Sequence, residues 1–372
     1  MNLIGVIREE ITADPRGRIS FDRFMELALY HPNYGYYSSG NVEIGKEGDF
    51  FTSSSLGADF GELLAEQFIE MAEILAVQPF TLVEVGAGSG ILARDILDYL
   101  RRRYGDFYEN LNYIIVEQSA GLIDRQKETL GEYRDKVSWR EWEEIDPIVG
   151  CVFSNELIDA FPVHQVIVQD RELREIYVTI GEPFAEVVDE LSTEEIRAYF
   201  DTVGVNVSSY AEGYRTEVNL HALRWLEKVS AKIDRGYVVT VDYGYPAQRY
   251  YNPQRYRGTL QCYFEHKRHD NPYINLGRQD ITAHVDFTAL EKWGEKVGLS
   301  EIGFTRQGMF LMALGLGDRL MELSSGAIDI QMIFARRDAL HQLIDPTGLG
   351  GFGVLVQGKR VPRSGLRGLR EG

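Results

Sequence analysis

The segment Val83-Glu84-Val85-Gly86-Ala87-Gly88-Ser89-Gly90 combines an acid with three alternating glycines at the end of an apolar run. Glycines so spaced let a backbone turn tightly and approach a ligand without a Cβ in the way. A helix starting just after them aims its unpaired N–H groups at whatever the loop holds. Dinucleotide sites use G-x-G-x-x-G to grip a pyrophosphate. Here the third glycine falls one position early, at Gly90, and Ile91 takes the dinucleotide position. An acid followed by G-x-G-x-G is the class I methyltransferase pattern, which predicts S-adenosylmethionine as cofactor, held by Glu84, Gly86, Ala87, Gly88 and Gly90. Glu117 ends the next apolar run, where a carboxylate can accept both ribose hydroxyls; the alternative is a solvated strand-end acid. Trp139, after a third run, either flanks the adenine or fills the core. Asn155 either binds the cofactor or fixes a turn.

These residues need a framework that brings strand ends together. Runs at Phe80–Val85, Tyr113–Glu117, Val137–Trp139, Cys151–Ser154 and Tyr237–Asp242 read as strands. Helical patterns at Ile91–Tyr104, Ser119–Tyr133 and Leu220–Ile233 fall between them, and that alternation predicts a parallel, doubly wound α/β sheet. A helix from Asp286 to Val297, a strand near Leu299–Thr305, helices to about Leu343 and a strand at Phe352–Gln357 complete it. Ahead of the sheet, residues 1–78 read as a helical cover: Ser20 is a candidate N-cap for a helix stopped by Pro32, and another helix runs from Leu56 to Ala76. The expected organisation is a cover (1–78), a class I Rossmann-like domain (79–358) with insertions at about 163–218 and 243–284, and a frayed basic tail (359–372).

The totals narrow the function. The chain has 372 residues, 44% hydrophobic and 26% charged, which suits a globular protein and excludes a disordered one. A net charge of −18 argues against general affinity for nucleic acid or anionic membrane. The Tyr/Arg stripe from Tyr243 to Tyr263 imitates an RNA-binding surface; in so acidic a chain a lid or partner face is the better reading, with ordinary packing as its alternative. The two cysteines, Cys151 and Cys262, read as reduced and structural. The absence of a secretory pattern or membrane-length stretch predicts a cytoplasmic location. The seven histidines show no metal-ligand spacing, so metal catalysis is not expected.

Several segments, in order, resemble the MidA-like family of methyltransferases. They are Tyr34-Gly35-Tyr36-Tyr37, Gly48-Asp49-Phe50-Phe51-Thr52-Ser53, Phe60-Gly61-Glu62, Asn155-Glu156-Leu157-Ile158-Asp159-Ala160-Phe161-Pro162-Val163-His164, Asp242-Tyr243-Gly244, Arg257-Gly258-Thr259-Leu260 and Asp280-Ile281-Thr282-Ala283-His284-Val285-Asp286-Phe287. The resemblance implies an acceptor arginine on a protein, since mitochondrial members methylate arginine on a core subunit of respiratory complex I. Family members commonly carry Thr-Ser-Pro-Glu where this chain has Thr52-Ser53-Ser54-Ser55.

A guanidinium is always charged, with delocalised lone pairs, so carboxylates must orient it and concentrate its charge away from the attacking nitrogen. Glu156, just past the fourth strand at the carboxyl edge, is the expected catalytic acid. Asp159 is a second candidate or a cap of the turn before Pro162. His284 would accept the released proton or be structural, with Asp286 as partner or N-cap. Tyr37, Thr52 and Ser53 would cover the cofactor from the N-terminal side. The rivals are a methyltransferase for a small molecule or another side chain, an assembly chaperone that binds the cofactor without using it, and a nicotinamide oxidoreductase. A homodimer stays open.

Overall fold

Seven strands form the central sheet: β1 Phe80–Val85, β2 Leu111–Val116, β3 Val137–Trp139, β4 Ile148–Asn155, β5 Ile233–Asp242, β6 Ser300–Arg306 and β7 Gly353–Lys359. The computed structural model describes residues 2–38, 53–265, 267–323, 330–363 and 365–370. The strand order is β3-β2-β1-β4-β5-β7-β6. From β3 to β5 all neighbours are parallel, whereas β7 runs antiparallel between β5 and β6. The sheet is therefore mixed at one edge. The chain leaves β1 in one direction and returns to β4 on its other side, so the carboxyl ends of these two strands flank a switch point where open α/β sheets bind ligands.

The main helices are α1 Leu3–Ala13, α2 Phe21–Tyr30, α3 Asp59–Leu75, α4 Ile91–Arg103, α5 Ala120–Thr129, α6 Glu195–Val203, α7 Leu220–Lys232, α8 Phe287–Lys296 and α9 Gln307–Ala313. On one sheet face, α3 and α4 bury Phe60, Leu64, Phe68, Leu92 and Ile96 with Leu82, Phe153 and Tyr237. The Phe68 and Phe153 rings lie 5.0 Å apart, and each such side chain contributes roughly 1.5–3 kcal/mol by leaving water. On the other face, Trp225, Leu226 and Val229 of α7 and Leu290 of α8 pack with Val83, Val152 and Val238. Because α3 is part of this core, the cover proper is α1 and α2.

That cover joins the first insertion. Strands His164–Gln169, Glu172–Ile180, Phe184–Asp189 and Arg215–Val218 make an antiparallel sheet with Arg18–Ser20, which pairs with Tyr177–Thr179. Phe21, Phe24 and Leu29 of α2 pack there with Val178, Phe184 and Ile281. The strands at 18–20, 184–189 and 215–218 and the helix α1 were not legible in the sequence, since each is short or only half apolar.

Among the described residues, the basic tail is not frayed. Leu366 is fully buried, the Gly368 N–H donates to Gln67 Oε1 at 3.0 Å, and Arg367 reaches Glu66 at 2.8 Å. Acids on α3 anchor what composition alone marked as loose. Both cysteines are buried thiols, and among the described residues no helix is long and apolar enough to cross a membrane.

Candidate active site

The glycine loop leaves β1 with positive φ at Gly86 (70°), Gly88 (53°) and Gly90 (80°), a region side chains rarely enter. A Cβ at Gly86 would stand 2.7 Å from Leu157 Cδ1, so the loop runs directly against the turn that follows β4. Gly90 is the N-cap of α4, and the first N–H groups of that helix are without intrahelical partners.

Gln126, fully buried on α5, ties this half together. Its Nε2 donates to the Gly88 carbonyl at 2.9 Å and to Glu117 Oε2 at 3.1 Å, and its Oε1 accepts the Trp139 indole N–H at 2.9 Å. The backbone N–H groups of Gln118 and Ser119 donate to Glu117 Oε1 at 2.9 and 3.0 Å. Burial pushes the Glu117 carboxyl up, and these bonds pull it back toward the charged form. Its orientation is fixed while lone pairs stay free for a ligand. Gln126 was missed because a glutamine between Arg125 and Lys127 in a polar helix carries no periodic signal. Glu84 departs from its expected role as a direct ligand. It is buried in the core with its carboxylate on the Tyr113 hydroxyl at 2.6 Å, and burial pushes it up to about 7. It supports the strand beneath the loop. Ala87 is buried at the same place.

From the cover side, the Tyr37 carbonyl accepts from Ser119 Oγ at 2.8 Å, and its hydroxyl donates to Asp280 at 2.9 Å. The ring stacks on Tyr30 at 5.5 Å. Ser53 donates its N–H to Glu156 Oε1 at 3.3 Å and its hydroxyl to Gln307 of α9 at 3.2 Å. Thr52 lies outside the described residues.

The second half stands at the ends of β4 and β5. Glu156 has φ +50°, a conformation that costs a residue of its kind energy and concentrates at functional sites. The turn it begins is held by Asp242, a buried residue missed as a site element although its motif was noticed. Asp242 Oδ2 accepts from the N–H groups of Leu157, Ile158 and Asp159 at 3.2, 2.9 and 3.4 Å, and its Oδ1 from Tyr243 N at 2.8 Å. Asn155 donates to Glu156 Oε1 at 3.2 Å. Burial, then the neighbouring Asp159, pushes Glu156 up to about 8. Burial pushes Asp159 up to about 6, and burial with both neighbours raises Asp242 strongly. So many acids in one dry edge cannot all be charged at once.

Asn155 Oδ1, Asp159 Oδ1, Tyr243 Oη, Thr282 Oγ1 and His284 Nδ1 are buried without a hydrogen-bond partner. Tyr243 faces Asp159 electrostatically without forming a well-shaped bond. Unpaired buried polar atoms are rare in native proteins, and their concentration here fits an edge built to meet a polar ligand. The site residues thus fit S-adenosylmethionine on the loop side and a second, polar molecule on the acid side.

The expected role of His284 as proton acceptor does not fit. Burial, then Arg255 and Arg268, pushes the imidazole down to about 4, so it is a weak base at neutral pH. Asp286 does not orient it: Oδ1 caps α8 through the N–H groups of Thr288 and Ala289, and Oδ2 takes the Tyr199 hydroxyl. The lid reading of the Tyr/Arg stripe is also corrected in part. Tyr250 and Tyr251 are buried, the former bonded to Glu217 and Thr259, while Arg249 and Arg255 both lie over Tyr245 at 4.6 Å. Packing explains these residues. A cavity of about 820 Å³ lies at the opposite sheet edge, near Phe80 and Asn110 where β1 and β2 begin, away from all this chemistry.

Comparison with known proteins agrees with this geometry. Residues 63–305 match the family described as S-adenosyl-L-methionine-dependent methyltransferase. The protein arginine methyltransferase NDUFAF7 homolog, mitochondrial, of Drosophila melanogaster is 28% identical over 90% of this chain and 80% of its own length. The human protein arginine methyltransferase NDUFAF7, mitochondrial, is 27% identical over 82% and 72%. A protein from Burkholderia thailandensis crystallised with S-adenosyl-homocysteine is 31% identical, covers 100% of this chain and 95% of its own, and superposes with a TM-score of 0.87.

Proposed function

Since the chain belongs to this family of S-adenosyl-L-methionine-dependent methyltransferases, we propose that its acceptor is an arginine side chain of a protein. The observation that carries the proposal is the group of acids beside the cofactor loop, Asp159 and Asp242 buried and Glu156 half-buried at the same edge. A lysine acceptor must lose its proton before it can attack, and an acid-rich edge would hold that proton on. A guanidinium cannot be deprotonated free in solution, and paired carboxylates are what orient it and polarise it. The names of the relatives point the same way.

S-adenosylmethionine supplies an electrophilic methyl group on a sulfonium. The protein's task is alignment and exclusion of water. The glycine loop and Glu117 hold the cofactor, with Gln126 locking both. Glu156 pairs with the guanidinium from its strained position, while Asp242 keeps the turn rigid. The nitrogen that gains the methyl sheds one proton, and Asp159 Oδ1, unpaired and on a carboxyl raised to about 6, accepts it. Product and substrate guanidinium carry the same charge, so the proton count closes. Tyr37 and Ser53 close the site from the cover side.

The test is transfer of labelled methyl into fractionated lysate from a strain lacking the protein, followed by amino-acid analysis of the labelled polypeptide. Methylarginine is expected, and a respiratory NADH dehydrogenase subunit, which the family resemblance implies, is the first fraction to assay. Label on lysine or on a metabolite would overturn the assignment.

A further inference from the structure

The second insertion, residues 243–284, carries five arginines and a lysine against three acids, in a chain whose net charge is −18. Two of these arginines meet a third, from the end of β6, around one ring. The Arg249 and Arg255 guanidiniums each lie 4.6 Å from the centre of Tyr245. Arg306 donates to the carbonyl of Gly244, next to Tyr245, at 3.2 Å and to that of Gly351 at 3.0 Å. Burial, then the charge of Arg249, holds its pKa below the ordinary value. Arg249 is exposed, and the other two are half-buried.

Arginines elsewhere find acids: Arg94 with Asp95, Arg215 with Glu186 and Arg319 with Asp59 each stand 2.9 Å from a carboxylate oxygen. Among the described residues, none of Arg249, Arg255 and Arg306 has an acid at ion-pair distance; Arg255 donates instead to the Arg249 and Tyr250 carbonyls at 2.9 and 3.0 Å. Stacking on Tyr245 seats two of the three but leaves their like charges unmatched. The group stands beside the acid edge. Tyr243, which faces Asp159, has its ring 5.2 Å from His284, and His284 lies 5.3 Å from Tyr245. With the last step to the guanidiniums, that path is about 15 Å at most, the reach of about four or five extended residues. A second connection runs from Arg306 to its neighbour Gln307, which accepts the Ser53 hydroxyl, while the Ser53 N–H meets Glu156.

We propose that Arg249, Arg255 and Arg306 receive the carboxylate of an acidic residue within about five positions of the acceptor arginine, so that the preferred substrate segment carries both charges. This rests on the proposed arginine acceptor. Guanidiniums present forked N–H donors that match a carboxylate. A polyanion such as nucleic acid would bring negative charge against Glu156, Asp159 and Asp242 as well, and the net charge of −18 opposes its approach. A uniformly basic segment would suit the acids and be repelled by the arginines. A segment of mixed sign satisfies both ends. The three guanidiniums do not touch the reacting nitrogen; they select which segment docks, and so which arginine is presented. The density of tyrosine and arginine marked this stretch in the sequence, but which arginines lack an acid depends on the fold.

The test uses the full chain saturated with S-adenosyl-homocysteine and short synthetic peptides with a single arginine in a glycine–serine background. By fluorescence anisotropy, a peptide with a pair of aspartates within about five positions of the arginine should bind about tenfold more tightly than the neutral peptide. A lysine-flanked peptide should bind more weakly than either. Arg249→Gln should shrink the aspartate advantage several-fold, and Arg249→Glu should turn it into an advantage for lysine. Both variants change an exposed side chain, and unchanged circular dichroism and S-adenosyl-homocysteine affinity confirm their folding. Equal binding of all the peptides, or an aspartate advantage unmoved by Arg249→Glu, overturns the proposal. Free arginine that competes as well as the aspartate peptide overturns it too, because the ligand is then the amino acid's own carboxylate. Labelled-methyl transfer to the same peptides, and to versions with lysine in place of the arginine, separates this proposal from the acceptor assignment. Methyl on arginine regardless of flank defeats the docking surface alone, whereas methyl on the central lysine with the aspartate preference kept defeats the acceptor assignment alone.

Discussion

The two halves of the candidate active site both contain acids drawn largely out of water and treat them in opposite ways. Glu117 is surrounded by donors: two backbone N–H groups and the Gln126 amide meet its oxygens. Glu156 has donors on one oxygen only, from Ser53 and Asn155, and it and Asp159 stand against one another and Asp242, with Asp159 Oδ1 and the neighbouring Tyr243 and Thr282 hydroxyls left unpaired. A carboxylate satisfied in advance can still accept neutral hydroxyls, which is what a ribose offers. Carboxyls crowded together gain most from a partner that brings positive charge. On the proposed function, the difference separates the half that would meet the cofactor from the half that would meet the cation.

The most damaging single change to the acid half should be Glu156→Gln. It keeps size and most hydrogen bonding but removes the charge that faces the guanidinium. The barrier should rise by about 3–4 kcal/mol, roughly a hundred- to thousandfold in single-turnover rate. Calorimetry on the same preparation should show nearly unchanged cofactor affinity. Equal losses in both would erase the distinction between the halves.

Glu117→Ala should do the reverse. Affinity for both S-adenosylmethionine and S-adenosyl-homocysteine should fall by roughly 1.5–3 kcal/mol at most per lost charge-assisted bond, because the two ligands share a ribose. A rate defect at saturating cofactor with intact affinity would contradict this.

The reach of sequence reasoning followed the same division. The glycine loop, Glu117 and Glu156 were legible because each ends an apolar run whose period identifies a strand. Gln126 and Asp242 were not assigned roles, since what they do depends on which backbone groups the fold brings beside them. His284 stood in the sequence as either a proton acceptor or a structural residue, and burial with the arginines facing it favours the structural reading. The tail misled for a related reason: the Arg367 and Arg370 side chains find Glu66 and Glu70 on α3, about three hundred positions earlier.

The raised carboxyls also set a pH dependence. With Glu156 near 8 in the free protein, kcat/KM should climb about tenfold between pH 7 and 9 as the charged form fills. Stability moves the other way. A folded value above the ordinary 4.5 contributes stabilisation that is complete below about pH 4.5 and lost as pH rises through about 8. The melting temperature of the cofactor-free protein should therefore fall across that window, and fall less in Glu156→Gln. A flat profile in both would remove the strained, neutral Glu156 from the account.

The mildest effect is expected for Gln126→Leu, which strands the Gly88 carbonyl and the Trp139 N–H without touching a ligand. Leaving such groups unpaired costs about 1–3 kcal/mol each at most, less where water reaches them. Cofactor affinity should drop a few-fold, with single-turnover rate at saturation close to wild type. A large rate loss would mean that the amide acts on the acid half as well.

The division between the halves is tested most directly by counting protons. Calorimetric titrations near pH 7, in buffers of different ionisation enthalpy, report protons released on binding. An arginine-bearing acceptor peptide should release a substantial fraction of a proton per chain as Glu156 becomes charged, and Glu156→Gln should lose most of that release. S-adenosyl-homocysteine should release little. Acceptor binding with no proton release, or equal release from both ligands, would contradict the account.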